Sequence, residues 1–493
     1  MPLTFCSAMN KPLRTDQLEA DNLGSLYAAR KEVYPQSVSG RFRRIKWGLM
    51  AFCLGVYYLL PFIRWDRGPD GPSQAVLVDL PNSRFYFFFI ELWPQEVYYF
   101  TGLLILAAMT LFLLNAIGGR IWCGYLCPQT VWTDLFYAVE RLIEGDRRER
   151  IKKSNGELTL QRFFETVSKH AIWILIAWWT GGAWVLYFND APTLVIQLLK
   201  FQAPMEAYVW IAILTFTTYV LAGFMREQVC IYMCPWPRIQ AALTDEWALN
   251  VTYKYDRGEA RMSLKKAEEL RALGDSVGDC IDCNQCVAVC PTGIDIRDGA
   301  QLGCIQCGLC IDACDNVMAK IGRPPRLIGY DNDINIHRRM ERKPEMFRLV
   351  RARTVVYAII IAGVGVVMLY ALLTRSLLDI SVLHDRNPIA VKLGDGSIRN
   401  AFTVRFSNKR AFDRTIALDV DGPSTMSVQI VGQESVTRDR PVLIIGRDQT
   451  TEIRLLVTAS LDSVRDKSSA LIFRVTDLGT GEVASTADHF VQP

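Results

Sequence analysis

Apolar residues run almost unbroken through five stretches: Trp47 to Ile63, Val97 to Gly119, Ala171 to Phe188, Ala207 to Met225 and Thr354 to Thr374. A bilayer core needs about 20 apolar residues of helix, with a range of roughly 17 to 25, so each stretch predicts a membrane span. After Pro128 the period changes: Trp132, Leu135, Phe136, Val139, Leu142 and Ile143 recur at helical spacing. That predicts an amphipathic helix at the cytoplasmic interface. The run Tyr86-Phe87-Phe88-Phe89 is too short to cross and reads as an interfacial segment. Beyond Thr374 the pattern alternates, as in Phe402-Thr403-Val404-Arg405-Phe406 and Glu452-Ile453-Arg454-Leu455-Leu456-Val457, between Gly, Asp, Asn and Pro turns. This predicts an antiparallel β-sandwich.

Composition agrees with such a division. Half of the 493 residues are hydrophobic and 22% are charged, with mean hydropathy +0.14, so apolar and polar residues are segregated along the chain. The 55 basic and 51 acidic residues are too balanced to imply nucleic acid. Their distribution predicts orientation: residues 120–169 carry nine Lys and Arg, against four in 64–96 and 189–206 together. Basic flanks stay cytoplasmic, which puts the N-terminus inside and, after five spans, the C-terminus outside. No apolar core lies in the first 40 residues, so no cleavable signal is expected. The expected domains are a cytoplasmic tail (1–46), a four-span membrane domain (47–249), a cytoplasmic cysteine-rich module with a basic linker (250–353), a fifth transmembrane helix (354–374) and an outer β-sandwich (375–493).

Twelve of the 14 cysteines fall in four clusters, which suits metal or redox chemistry better than a disulfide framework. Cys280, Cys283, Cys286 and Cys290 form C-x2-C-x2-C-x3-C before Pro291, and Cys304, Cys307, Cys310 and Cys314 repeat the spacing, with Asp315 where proline is usual. In two-cluster ferredoxins the fourth cysteine crosses over. One 4Fe-4S cluster is therefore expected on Cys280, Cys283, Cys286 and Cys314, and the other on Cys304, Cys307, Cys310 and Cys290. A zinc site would show two C-x2-C pairs rather than eight cysteines in this phase.

The remaining clusters follow two spans: Cys123 and Cys127 before Pro128, and Cys230 and Cys234 before Pro235, each C-x3-C-P. On a helix, side chains four apart share a face and can share a metal or exchange a disulfide. Proline instead disfavours helix at the preceding cysteine and starts a helix whose dipole would acidify that thiol. The spacing does not choose between these geometries. Thiolate favours Cu(I) over harder cations, so a Cu(II) ion reaching such a pair is biased towards reduction if a one-electron donor stands nearby. Cys53 reads as a small hydrophobe. The histidines at 170, 337, 384 and 489 form no intramembrane pair for haem. The basic residues from Arg338 to Arg353 read as an anchor to anionic lipid.

Taken in order, these motifs resemble the cytochrome c oxidase accessory proteins of the CcoG (FixG/RdxA) family. The resemblance covers nearly the whole chain. It implies a multi-pass protein of the bacterial cytoplasmic membrane that reduces Cu(II) to Cu(I) for assembly of cbb(3)-type cytochrome oxidase. It implies that Cys123, Cys127, Cys230 and Cys234 handle copper or its electrons, that the β-sandwich is immunoglobulin-like and periplasmic, and that oxidase assembly factors are partners. A homodimer and an unidentified electron donor complete the expectations. Two other functions fit the same motifs: quinol oxidation, as in nitrate- and nitrous-oxide-reductase accessory proteins, and a non-enzymatic assembly scaffold.

Overall fold

The computed structural model describes residues 32–492 except 69–70, 158, 411, 423–425, 433–439, 448 and 461–467. Most of the expected N-terminal tail, residues 1–31 with Cys6, lies outside the described residues. Among the described residues, four helices are long and apolar enough to cross a membrane: Arg41–Phe62, Tyr98–Gly118, Met205–Met225 and Ala352–Leu373. They correspond to four of the five predicted spans. The other span, Ala171 to Phe188, overlaps the 26-residue helix Leu160–Val185, which is not among those four. Trp173, Trp178, Trp179 and Trp184, with Lys169 and His170, stand in it where the other four carry mostly aliphatic residues.

The chain divides into two units. The first comprises residues 32–53, 114–179 and 214–350. Its centre is the cysteine-rich module, where Val251, Tyr253, Ile296, Ile311, Met318, Leu327 and Ile328 pack around Cys280, Cys286 and Cys314. A two-stranded antiparallel sheet, Asn250–Tyr253 with Ile328–Asp331, closes this core by joining the start and end of the module. The residues before the first span, read from sequence as tail, are built into the same unit. Gln36 N–H donates to the Ala288 carbonyl at 2.8 Å. The first helical amides, of Phe42 and Arg43, donate to the Asp312 carboxylate at 3.1 and 2.7 Å. A carboxylate at a helix N-terminus satisfies free amides and complements the dipole.

The predicted amphipathic helix is Pro128–Glu144. It buries Val131, Phe136, Tyr137 and Val139, whereas Leu142 is 83% exposed. Phe136 stacks on Trp173 with ring centroids 5.1 Å apart. Asp134, on its buried face, pairs with Arg43 at 2.9 Å and with Lys46 at 3.8 Å. Burial opposes ionisation of Asp134, but the two cations outweigh it and hold the carboxyl below its usual range.

The second unit comprises residues 54–113, 180–213 and 351–492. The aromatic run at 86–89, read as an interfacial segment, forms the end of the middle strand and the turn after it in a three-stranded meander: Val76–Asp79, Arg84–Phe87 and Ile90–Leu92. Alternation of buried Tyr86 with exposed Phe87 gives the run a strand's two faces. The C-terminal region is a sandwich of two antiparallel sheets. One has the order Met426–Ile430, Gln449–Ala459, Ile398–Asn408, Leu378–His384, with Val391–Lys392 also pairing with Ile398–Asn408. The other has the order Val442–Ile445, Arg414–Asp421, Ser468–Asp477, Val483–Val491. Their inner faces meet in a dry core that includes Phe402, Phe406, Leu455, Leu418, Phe473 and Val475, with the Phe402 and Phe473 rings edge-on at 5.2 Å. The period-2 segments noted in the sequence lie in the two long paired strands of the first sheet.

Candidate functional site

The two cysteine runs fold into matching loops. Asp282 and Asn284 in the first (φ 53 and 55°) and Gln306 and Gly308 in the second (φ 56 and 73°) take left-handed backbone at equivalent offsets from the first cysteine. Each turn wraps the chain around a small cavity. One cavity is lined by Cys280, Cys283, Cys286 and Cys314; the other by Cys286, Cys290, Cys304, Cys307 and Cys310. Apart from Cys286, which lines both, the cysteines divide as the spacing predicts for crossed ligation. The donor chemistry fits a cluster: in the protein alone, burial pushes the Cys286 thiol up to about 11 and those of Cys304 and Cys314 up to about 12. Iron binding would have to displace those protons, as it does for thiolate ligands generally. Among the described residues, no three His, Cys, Asp or Glu side chains come close enough to hold a single metal ion.

The C-x3-C-P units take the broken-helix geometry. Cys123 sits in the short helix Ile121–Tyr125, and Cys127 is extended (ψ 127°) as N-cap of the helix beginning at Pro128. Cys234 is likewise extended (ψ 122°), at the end of the π-helical turn Val229–Met233. In both units the second cysteine's N–H reaches back five residues, Cys127 to the Trp122 carbonyl at 2.9 Å and Cys234 to Val229 at 2.8 Å. The two motifs are therefore structural repeats. They also converge: Cys127, Cys230 and Cys234 all act electrostatically on Cys123, and Cys127 and Cys234 act on Cys230. Burial, reinforced by these neighbours, pushes the Cys123 and Cys230 thiols up to about 12.

Cys123 and Cys230 of this group lie by the second cluster loop. Cys123 packs in one apolar cluster with Ile305, Cys307 and Leu309. Approach is closest at Gly124, where a Cβ would stand 2.7 Å from the Ile305 carbonyl oxygen and 3.1 Å from the Cys307 Cα. Tyr125 Oη donates to the Cys307 carbonyl at 2.9 Å. Arg120 clasps the same loop: its N–H donates to Gln306 Oε1 at 2.8 Å, and its guanidinium to the Leu302 carbonyl at 2.5 Å and the Pro237 carbonyl at 3.0 Å. The cavity of Cys290, Cys304, Cys307 and Cys310 is therefore the one next to the membrane-edge thiols. Sequence reasoning missed Arg120, Gly124, Tyr125 and Asp312; Gly-Tyr inside a C-x3-C motif was the available signal.

A buried crossed pair of four-cysteine cavities, joined to apolar helices of membrane-spanning length, defines a membrane-associated iron-sulfur electron-transfer protein. Residues 225–333 match a 4Fe-4S dicluster domain and residues 100–145 a 4Fe-4S binding domain. Residues 368–493 match the IG-like fold at the C-terminal of FixG. The chain is 48% identical over 461 residues to nitrogen fixation protein FixG of Rhizobium meliloti, covering 88% of each chain. It is 48% identical over 462 residues to protein RdxA of Cereibacter sphaeroides, covering 93% of this chain and 96% of that one. Protein RdxB of the same organism is 47% identical, covering 93% and 95%. The chain belongs to the FixG/RdxA family. The match at 100–145 contains only two cysteines, Cys123 and Cys127, so a four-thiolate cluster there would need Cys230 and Cys234 as well.

Proposed function

We propose that this protein is a cupric reductase, delivering single electrons to Cu(II) at Cys123, Cys127, Cys230 and Cys234 and so supplying Cu(I) for assembly of cbb(3)-type cytochrome oxidase. The observation that supports the reading is the packing of Cys123 and Gly124 against the Cys307 loop, with Cys127, Cys230 and Cys234 near enough to act electrostatically on Cys123. The 4Fe-4S clusters, when bound, supply one-electron carriers. The chain's own residues do the rest. Soft sulfur favours Cu(I), so the thiols bias the ion towards its reduced form. Gln240, itself buried, accepts from the Cys123 thiol at 3.3 Å and holds its direction.

The same geometry supports a topology. Both C-x3-C-P units follow apolar helices, Tyr98–Gly118 and Met205–Met225. Two helices of the same direction can end together only if the chain recrosses between them. The helix Leu160–Val185, 26 residues and so about 39 Å long, has the reach to do so. With basic residues 120–169 retained inside, the cysteine-rich module is cytoplasmic and the sandwich periplasmic. To test the function, the anaerobic protein is reduced with dithionite, desalted and mixed with Cu(II) and a Cu(I) chelator. Cu(I) should appear as the iron-sulfur absorbance recovers, and Cys127→Ser with Cys234→Ser should stop it; reduction at the wild-type rate in that double variant would remove the thiols from the reaction.

A further inference from the structure

A cavity of about 380 Å³ lies in the first unit, apart from the cysteine cavities. Pockets of roughly 300–1,000 Å³ are the usual size for small-molecule sites. Its lining is of two kinds: charged and polar side chains, among them Glu32, Lys153, Ser154, Arg162 and Glu165, and an aromatic group of His170, Trp173 and Phe224. Phe224 belongs to the π-helical turn, Tyr219–Met225, in which the apolar helix Met205–Met225 ends. Such turns widen a helix and recur at functional sites. Gly223 belongs to that turn, and a Cβ on it would stand 3.1 Å from the Trp173 ring.

Three features define the ligand. The wall charges compensate one another: Arg150 pairs with Glu140 at 2.5 Å, Lys169 with Glu144 at 2.6 Å and Lys153 with Glu165 at 2.6 Å, while Arg226 also pairs with Glu140. A head group without net charge is favoured over a phosphate. His170 is fixed edge-on to Trp173 and stacked with Phe224, and its Nδ1 meets the Tyr219 hydroxyl at 3.0 Å. A ligand hydroxyl would therefore meet Nε2. Phe163, Phe164 and Val167, 58%, 59% and 48% exposed, lie beside the lining positions of the same helix. They offer an apolar tail a route to lipid. Finally, Arg226 and Glu227 line this cavity and also the one that contains Cys230, Pro291 and Ile305. That shared wall brings the ligand near Cys230 and the second cluster loop.

We propose that this cavity binds the head of a membrane quinol and is where electrons enter the protein. The ligand leaves as quinone: QH2 gives Q, two protons and two electrons, which 4Fe-4S clusters held by the two cysteine sets would accept one each, with the protons released through His170 and Glu227 to solvent. The inference rests on the electron-transfer reading of the cysteine centre and does not require copper as acceptor.

The full chain, in nanodiscs of quinone-free phospholipid, is titrated with decylubiquinone. Saturable quenching of tryptophan fluorescence is expected, weakened about tenfold in His170→Ala and in the cavity-filling Thr166→Trp. In dithionite-reduced, desalted protein, decylubiquinone should restore the iron-sulfur absorbance with saturation kinetics in the wild type and about tenfold more slowly in both variants. Cu(II)-driven recovery should stay within about twofold of wild type, because neither side chain touches the thiols. Quenching and recovery unchanged in both variants, or recovery linear in quinone throughout, would overturn the site. So would binding of a short-chain phospholipid that excludes no quinone, which makes the cavity a lipid seat. Failure of Cu(II) with success of quinone would sink the cupric-reductase reading and leave this one standing.

Discussion

At the scale of single residues, the contact between the membrane-edge thiols and the cluster loop depends on a side chain that is missing. A Cβ at position 124 would enter the van der Waals radius of the Ile305 carbonyl, and neither backbone can retreat without moving Cys123 or Cys307. Gly124→Ala should therefore slow Cu(I) formation by at least about tenfold, since small displacements of reacting groups are costly. Iron content should stay at wild type. The comparison is Gly182→Ala, where a Cβ meets nothing within 4 Å; that change should leave the rate untouched and add about 1 kcal/mol of helix stability. Asp134 is a second such point. Arg43 and Lys46, 8% and 3% exposed, depend on its carboxylate, and Asp134→Ala strands both in the interior. A loss of about 3–5 kcal/mol is expected, read as a lower melting temperature in detergent.

At the scale of elements, what the sequence made legible was whatever is written in short-range spacing. Eight cysteines at fixed intervals announced the crossed ligand sets, and alternation in Phe402–Phe406 and Glu452–Val457 announced the paired strands. Contacts between distant segments were not legible: Tyr125 and Cys307 touch across 182 positions, and no local pattern marks either as the other's partner. In the aromatic run at 86–89 the strand was not legible either, because hydrophobicity on both faces hid its two-residue period. The tryptophan-rich helix Leu160–Val185 is the element on which topology turns. A phosphatase reporter fused after residue 157 should be inactive, and one fused after residue 200 active; equal activity at both would place that helix on one side of the membrane. In the sandwich, Arg414 is fully buried against Asp477, at 2.9 Å, and Glu482. Burial opposes ionisation of both acids, but Thr480 and Arg414 for Asp477, and Arg414 for Glu482, hold their carboxyls below the usual range. Folded values below unfolded ones mean that this stabilisation is complete above about pH 4–5 and is lost as pH falls through the folded values. The melting temperature of the β-sandwich should drop in that acidic window, and Arg414→Met should flatten the dependence.

At the scale of the whole molecule, the two cavities are not equivalent. The one bounded by Cys290, Cys304, Cys307 and Cys310 adjoins Gly124 and Cys123, whereas the one bounded by Cys280, Cys283, Cys286 and Cys314 packs against Tyr253, Met318 and Leu327. In this crossed grouping, a cysteine's place in sequence misstates the cluster it would serve. Cys290→Ser should remove the same electron paramagnetic resonance signal as Cys304→Ser, and Cys314→Ser the same as Cys280→Ser. If the fourth cysteines served their own runs, the pairs would exchange. Function should then separate the two classes. Loss of the Cys290 and Cys304 site should abolish Cu(I) formation even with the other signal intact, because the thiols lose their neighbouring electron carrier. Loss of the Cys280 and Cys314 site should leave a single turnover from the remaining cluster, about one Cu(I) per reduced chain. One Cu(I) per chain from both variants would mean that neither cavity has privileged access to the thiols, contrary to the position of Gly124.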